Sequence, residues 1–257
     1  MTDHLLTHRE GPVLTLTINR PERRNAMSPA VIEGLTAALR ASRTDAGLRA
    51  IVLTAAGDQA FCAGADLATG KSFSFDYAEP RLPIPELFRV ARDCSVPIVG
   101  RINGTCMAGG MGLLAICDLA IAAEHALFGL PEVKVGVYPM QVLAVLQHLV
   151  PRRTLMELCL TGDPVDARQA REIGLVNRVV PAAELDAAVA DLVSRLSARS
   201  PTALRRGKYA SYAIEAMSFE ESLRFMEGQI GLLAATEDST EGQLAFREKR
   251  APVWTGR

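Results

Sequence analysis

Asn103-Gly104-Thr105-Cys106-Met107-Ala108-Gly109-Gly110-Met111-Gly112 follows directly on the apolar run Val96 to Ile102. The run reads as a buried strand, Asn103-Gly104 as a turn, and the glycines as the start of a helix with almost no side-chain bulk. Small residues let a ligand approach the backbone, and N–H groups at a helix N-terminus suit an anion or a developing oxyanion. A stretch of the same kind lies upstream, Phe61-Cys62-Ala63-Gly64-Ala65-Asp66-Leu67, after the short apolar strand Leu48 to Thr54. Downstream come Phe128-Gly129-Leu130-Pro131-Glu132 and Gly136-Val137-Tyr138-Pro139. Glu132 stands between apolar neighbours just after a proline, where partial burial raises a carboxyl toward the range useful for general acid–base work. Taken singly, each stretch has a bland explanation: a turn, a close helix contact, a carboxylate in the first turn of a helix.

Outward from these loops, Val13, Leu16 and Ile18 among threonines predict a strand ending at Asn19-Arg20-Pro21. Ser28-Pro29 opens a helix whose stripe Val31, Leu35, Leu39 stops near Gly47. Ser72 to Pro85 carries Phe73, Phe75, Tyr77 and several prolines, which reads as an irregular pocket-lining loop. Leu119 to Ala123 is a further strand. Beyond it the chain is mainly helical, with Leu185, Val189, Leu192 and Leu196 at helical spacing. Ser218 with Glu221, and Asp238 with Glu241 in a looser form, resemble capping boxes. Strands alternating with helices, then helices only, indicate an α/β core with a helical C-terminal part. No internal repeat of fixed period is visible.

The composition excludes several classes. With 28 Lys+Arg against 29 Asp+Glu the net charge is −1, so an anionic ligand must be held by a local cluster and not by the overall field. Aromatics at 5% disfavour recognition of single-stranded nucleic acid by stacking, and no nucleic-acid partner is expected. The five cysteines, Cys62, Cys94, Cys106, Cys117 and Cys159, are odd in number and widely spaced, with no CxxC. That pattern supports neither a disulfide framework nor a metal site, and it points to a reducing compartment. The longest uncharged stretches are broken by Gly, Pro, Asn or Gln and do not read as membrane spans. No signal peptide is visible before His4, His8, Arg9 and Glu10, so a soluble cytoplasmic protein is expected. Gly110-Met111-Gly112-Leu113-Leu114-Ala115 fits a dinucleotide fingerprint with Glu132 about twenty residues on. Its setting is wrong, because a turn and four more residues separate it from the strand it should follow.

Joined in this order and spacing, the loops resemble the crotonase family, also called the enoyl-CoA hydratase/isomerase family. The resemblance extends to Asn19-Arg20-Pro21 and Arg24-Asn25-Ala26-Met27, to Ala170 with Ile173-Gly174-Leu175-Val176, and to Ala245-Phe246-Arg247-Glu248-Lys249-Arg250. It implies an α/β fold, a crotonase-like spiral of ββα repeats with a helical C-terminal trimerisation region, divided here as 1–195 and 196–257. It also implies an acyl-CoA thioester as substrate with no separate cofactor and no metal, and a homotrimer or dimer of trimers.

By the same resemblance the N–H groups of Ala63 and Gly109 form an oxyanion hole for a thioester enolate, and Glu132 is the acid/base. The backbone of Ala65, Asp66 and Leu67 is expected to hold the adenine. Arg24, Ala26, Phe246 and Lys249 are expected at the coenzyme A. Gly112, Tyr138, Phe73 and Phe75 are expected in or beside an acyl pocket suited to a bulky or apolar chain.

The sequence departs from the family pattern at Gly112, where efficient hydratases carry the first of two glutamates that grip a water, and at Met140, where a further Gly is common. A single carboxylate can move one proton. The resemblance therefore implies 2-enoyl-CoA hydration as the broad activity, with 3-enoyl to 2-enoyl isomerisation and one-glutamate hydration and cleavage of aryl-enoyl thioesters beside it. An acyl-CoA-binding protein of weak activity is the alternative of a different class.

Overall fold

The computed structural model describes residues 3–66, 78 and 81–257. In chain order the described elements are β1 (Leu5–Glu10), β2 (Val13–Ile18), α1 (Pro29–Ser42), β3 (Ala50–Ala55), β4 (Ala60–Cys62), α2 (Pro83–Asp93), β5 (Ile98–Ile102), β6 (Thr105–Met107), α3 (Gly109–Ala115), β7 (Leu119–Ala123) and β8 (Leu127–Gly129). Then follow α4 (Met140–Leu146), α5 (Arg152–Thr161), β9 (Val165–Asp166), α6 (Ala167–Glu172), β10 (Arg178–Val180), α7 (Leu185–Ser197), α8 (Pro201–Ala213), α9 (Phe219–Ala234) and α10 (Glu237–Glu248).

Two sheets share the strands. One has the order β1-β2-β3-β5-β7-β10, parallel except for the β1–β2 hairpin; the other is β4-β6-β8-β9. Each step β3–β4, β5–β6 and β7–β8 lays one strand on each sheet, and α2 and α3 carry the chain back. This is the expected spiral of ββα turns. The inner strands β3 and β7 of the first sheet are apolar on both faces, as parallel strands covered on both sides must be. Leu16, Ile18, Ile51, Leu53, Ile98 and Ile102 face the main core with α1, α2 and α3, and α7 covers the other face through Leu185, Val189 and Val193 against Val52, Val99 and Ile121.

Ser28 caps α1 by accepting from the Val31 N–H, with Pro29 in the first turn, and Val31, Leu35 and Leu39 are buried as their spacing requires. The helix ends at Ser42, short of the expected stop near Gly47. Pro83 and Pro85 do not belong to an irregular loop: both stand in the first turn of α2, where the missing N–H is not needed. The residues expected to form a turn and four more before Gly109 include a strand, β6, which runs into α3. The strand β1 went unread because it is a polar, exposed edge strand, whose partner supplies the apolar side.

The Ser218–Glu221 capping box is present on α9. The Asp238–Glu241 box is not. Thr236 caps α10 instead, because Asp238, 1% exposed, is drawn inward to Ser200 Oγ (2.8 Å), Thr202 Oγ1 (2.8 Å), and the N–H groups of Thr255 (2.8 Å) and Gly256 (3.0 Å). Burial alone would raise this carboxyl, but the donors from Ser200, Gly256, Thr202 and Thr255 outweigh it and hold it at about 2. Asp238→Ala is expected to lower the unfolding free energy by about 3 kcal/mol, because it orphans several buried donors at once. Because the folded carboxyl is depressed, its contribution is full above the ordinary carboxylate range and disappears as pH falls through about 2. Urea unfolding of the wild type and the variant at several pH values checks both statements.

The residue-195 division falls in the last turn of α7, which packs on the first sheet. Helix α8 is tied to the core by Lys208 Nζ and Tyr212 Oη on the two oxygens of Asp118, at 2.7 and 3.0 Å. All five cysteines are free and buried, and burial pushes the Cys62 thiol up to about 12. Among the described residues no helix is long and apolar enough to cross a membrane.

Candidate active site

The loops after β4 and β6 meet because their strands pair, and the residues after β8 join them because Met107 pairs with Gly129. Ala108, at φ +51, is a non-glycine residue in the left-handed region just ahead of α3, and its N–H donates to the Gly129 carbonyl at 2.9 Å. Backbone strain of this kind collects where a site demands a fixed amide direction. The following N–H, on Gly109, is one of those a helix start leaves without an intrahelical acceptor.

The donor expected opposite it is Ala63, but its amide is already engaged. The Ala63 N–H donates to the Arg24 carbonyl at 3.1 Å, and the Asp66 N–H to the Met27 carbonyl at 3.0 Å. Between them Gly64, at φ +109, reverses the chain, so that the amide one residue later is turned the other way. The Ala65 N–H has no acceptor among the described residues. It lies 3.5 Å from where a Cβ on Gly109 would stand. The Ala65 amide is therefore the free one of this loop beside Gly109. The signal in the sequence was Gly64 itself, since a glycine at positive φ changes which neighbour faces the cleft.

Glu132 lies in a short 3-10 turn, Pro131–Val135, three residues after Gly129. Its Oε2 is buried with no hydrogen-bond partner. Burial pushes the carboxyl above its ordinary range, against a smaller pull from its own N–H. Burial raises the thiol of Cys159 on α5, with the nearby Glu132 charge adding to it, and Tyr138 is partly buried against the main core that contains Cys159.

Gly112 is more than a missing side chain. A Cβ built on it would lie 2.5 Å from Phe88 Cζ, so the ring of Phe88 on α2 fills the room a side chain there would need. The coenzyme-binding candidates divide. Arg24 is exposed at φ +49 with its carbonyl engaged by Ala63, and the Ala26 carbonyl accepts from Arg20 at 2.7 Å. The Asp66 carboxylate is held by the same guanidinium at 2.7 Å, with both side chains nearly buried. Arg20, read only as part of a motif, is the clamp joining the N-terminal loop to the Ala65 loop. Phe246, 86% exposed, and Lys249 project into solvent at the end of α10, which packs on α8 and α9. Leu67, Phe73 and Phe75 lie outside the described residues.

A buried carboxylate oxygen without a partner, in the loop after β8, and two free amides in the loops after β4 and β6 are the groups needed to move a proton beside a carbonyl whose oxygen becomes an oxyanion. Comparisons with known proteins give the family. The profile of the enoyl-CoA hydratase/isomerase family matches residues 8–257. The chain is 33% identical to the 2,3-dehydroadipyl-CoA hydratase of Escherichia coli over 256 residues, covering 98% of this chain and 99% of that protein. It is 33% identical to the carnitinyl-CoA dehydratase of Salmonella typhi, covering all of both chains. The crystal structure of an enoyl-CoA hydratase of Mycobacterium smegmatis superposes with a TM-score of 0.93 at 32% identity, over 98% of each chain. The chain is an enzyme of the enoyl-CoA hydratase/isomerase family.

Proposed function

We propose that the enzyme acts on 2-enoyl-CoA thioesters by way of an enolate, with the Ala65 and Gly109 amides on the thioester oxygen and Glu132 as the one acid/base. The observation that carries this is the buried, unpartnered Oε2 of Glu132, three residues beyond the Gly129 carbonyl that accepts from the Ala108 N–H just ahead of α3. In hydration, the Glu132 carboxylate takes a proton from water as its oxygen bonds to C3. The C2–C3 π electrons move onto the thioester oxygen, and the enolate then takes the proton from Glu132 at C2. The helix start at Gly109 favours the negative charge at the moment it forms. The names of the relatives, each a hydratase or dehydratase of a CoA thioester, support hydration as the broad activity.

A second activity is favoured by Phe88. With its ring where a second carboxylate would stand, a water is gripped from one side only. The same Glu132 can instead remove a C2 proton from a 3-enoyl thioester and return it to C4 through the same enolate. Incubation of paired 2-enoyl- and 3-enoyl-CoA substrates, followed by chromatography, separates the two: 3-hydroxyacyl product marks hydration, and double-bond migration without added water marks isomerisation. Binding without turnover of either would favour the acyl-CoA-binding alternative.

Arg24 and the backbone at Ala26 and Leu67 are proposed to hold the coenzyme A. Phe246 and Lys249 are proposed to reach it only in an assembled homotrimer or dimer of trimers. Helix α9 supports assembly, since no residue of it is buried and Phe219, Leu223, Ile230 and Leu232 are exposed. Removal of the chain from Ser239 on is expected to reduce the sedimentation coefficient to that of a smaller species; an unchanged value would count against assembly through this region.

A further inference from the structure

Gly109 and Gly112 are three residues apart on α3 and so share one face of the helix, with their Cβ directions tilted toward its N-terminus. A side chain at position 112 would therefore point toward the Gly109 amide. Phe88 Cζ occupies that place, and the residue is 7% exposed. Phe88 also lines a cavity of about 750 Å³, partly open to solvent, whose walls include Ala115 at the end of α3, Val145 of α4 and Leu204 of α8 together with the charged Arg92 and Lys208. That volume is in the range that holds a small apolar ligand. Phe88 thus borders both the room a side chain at Gly112 would need and this cavity.

We propose that Phe88 is the specificity-determining residue of this enzyme: its ring ends the acyl pocket, confining the site to short-chain enoyl thioesters, and its removal joins the pocket to this cavity. The pairing with Gly112 is what brings the ring so close, because any larger residue there would push it back. This rests on the reading of the site as an enoyl-CoA site, and the measurements separate the two.

Specificity constants for crotonyl-, hexenoyl-, octenoyl- and decenoyl-CoA are compared in the wild type, Phe88→Ala and Phe88→Leu, with dissociation constants of the matching saturated acyl-CoAs measured in parallel. The ratio of decenoyl to crotonyl turnover is expected to rise about tenfold or more in Phe88→Ala and by less in Phe88→Leu, since each accommodated methylene contributes discrimination of that order. Tighter binding of the longer saturated chains should accompany it. An unchanged chain-length profile in both variants overturns the proposal and leaves the enoyl-CoA reading intact. A wild type that neither binds nor converts any acyl-CoA overturns both. Should Phe88→Ala not fold, Phe88→Leu carries the same test. The position of the ring has its own check: Gly112→Glu alone should lower the melting temperature, and Phe88→Ala/Gly112→Glu should recover part of it. Failure to recover would show that the ring does not fill this space.

Discussion

Glu132→Gln is expected to lower turnover of enoyl-CoA by about 10²–10⁴-fold, the range associated with loss of a positioned general acid–base, while leaving the melting temperature unchanged or raised. The two halves of that result have one cause. Oε2 is buried without a partner, so the charged form is disfavoured in the fold and the carboxyl is raised. For a carboxyl raised on folding, the associated stability is present below the unfolded pKa and is lost as pH rises through the folded one. At neutral pH the charge therefore works against the fold, and a neutral amide of the same shape removes that penalty together with the proton carrier. The profile of kcat/KM should rise with pH through a value above the ordinary carboxylate range in the wild type and lose that limb in the variant. A variant that keeps wild-type turnover would remove Glu132 from the chemistry.

The second large effect separates two adjacent glycines. On Gly110 a Cβ would stand 2.3 Å from the Cys62 carbonyl oxygen and 3.1 Å from its carbon, both backbone atoms of β4. The two loops would have to part, and Gly110→Ala is expected to lower stability by about 3 kcal/mol or more, or roughly 10 °C in melting temperature for a chain of this size. On Gly109 the nearest atom is Met27 Cε at 2.5 Å, the end of a flexible side chain, with the Ala65 nitrogen next at 3.5 Å. Gly109→Ala is expected to fold with a loss of about 1 kcal/mol. It would nevertheless place a methyl group where the thioester oxygen should receive its two hydrogen bonds, lowering kcat by about 10²–10³-fold. Thermal melts and steady-state kinetics on the two purified variants give the contrast. Equal loss of activity at equal stability would contradict the assignment of the Gly109 amide.

The parts of the fold legible in the sequence are those where one segment carries its own pattern. Ser28-Pro29 with the stripe Val31, Leu35, Leu39, the strand Leu119–Ala123 and the box Ser218–Glu221 are local statements, and the structure repeats them. The spiral was not legible as a repeat, because its turns differ in length: β3, β5 and β7 begin at residues 50, 98 and 119. Short strands such as β6 and β8 are three residues long, too short for a period to show, and they exist because the neighbouring turn supplies their hydrogen bonds. In the site, Gly109 and Glu132 are expected from the family resemblance, with residue type and context in keeping with it. The choice of Ala65 over Ala63 depends on a single backbone reversal at Gly64 and on where the Arg24 carbonyl lies. The place of Phe88 depends on packing between helices far apart in sequence, which no local pattern encodes.

The central claim is that this chain forms a thioester enolate and moves a proton on carbon through Glu132. Mass spectrometry of a trans-2-enoyl-CoA incubated with the enzyme in D₂O tests it most directly, across several acyl chains and with Glu132→Gln as the comparison. Deuterium bound to carbon in the wild-type product or recovered substrate, with or without added heavy water, and its loss in the variant is the predicted result. No change in mass with any acyl chain would contradict the account.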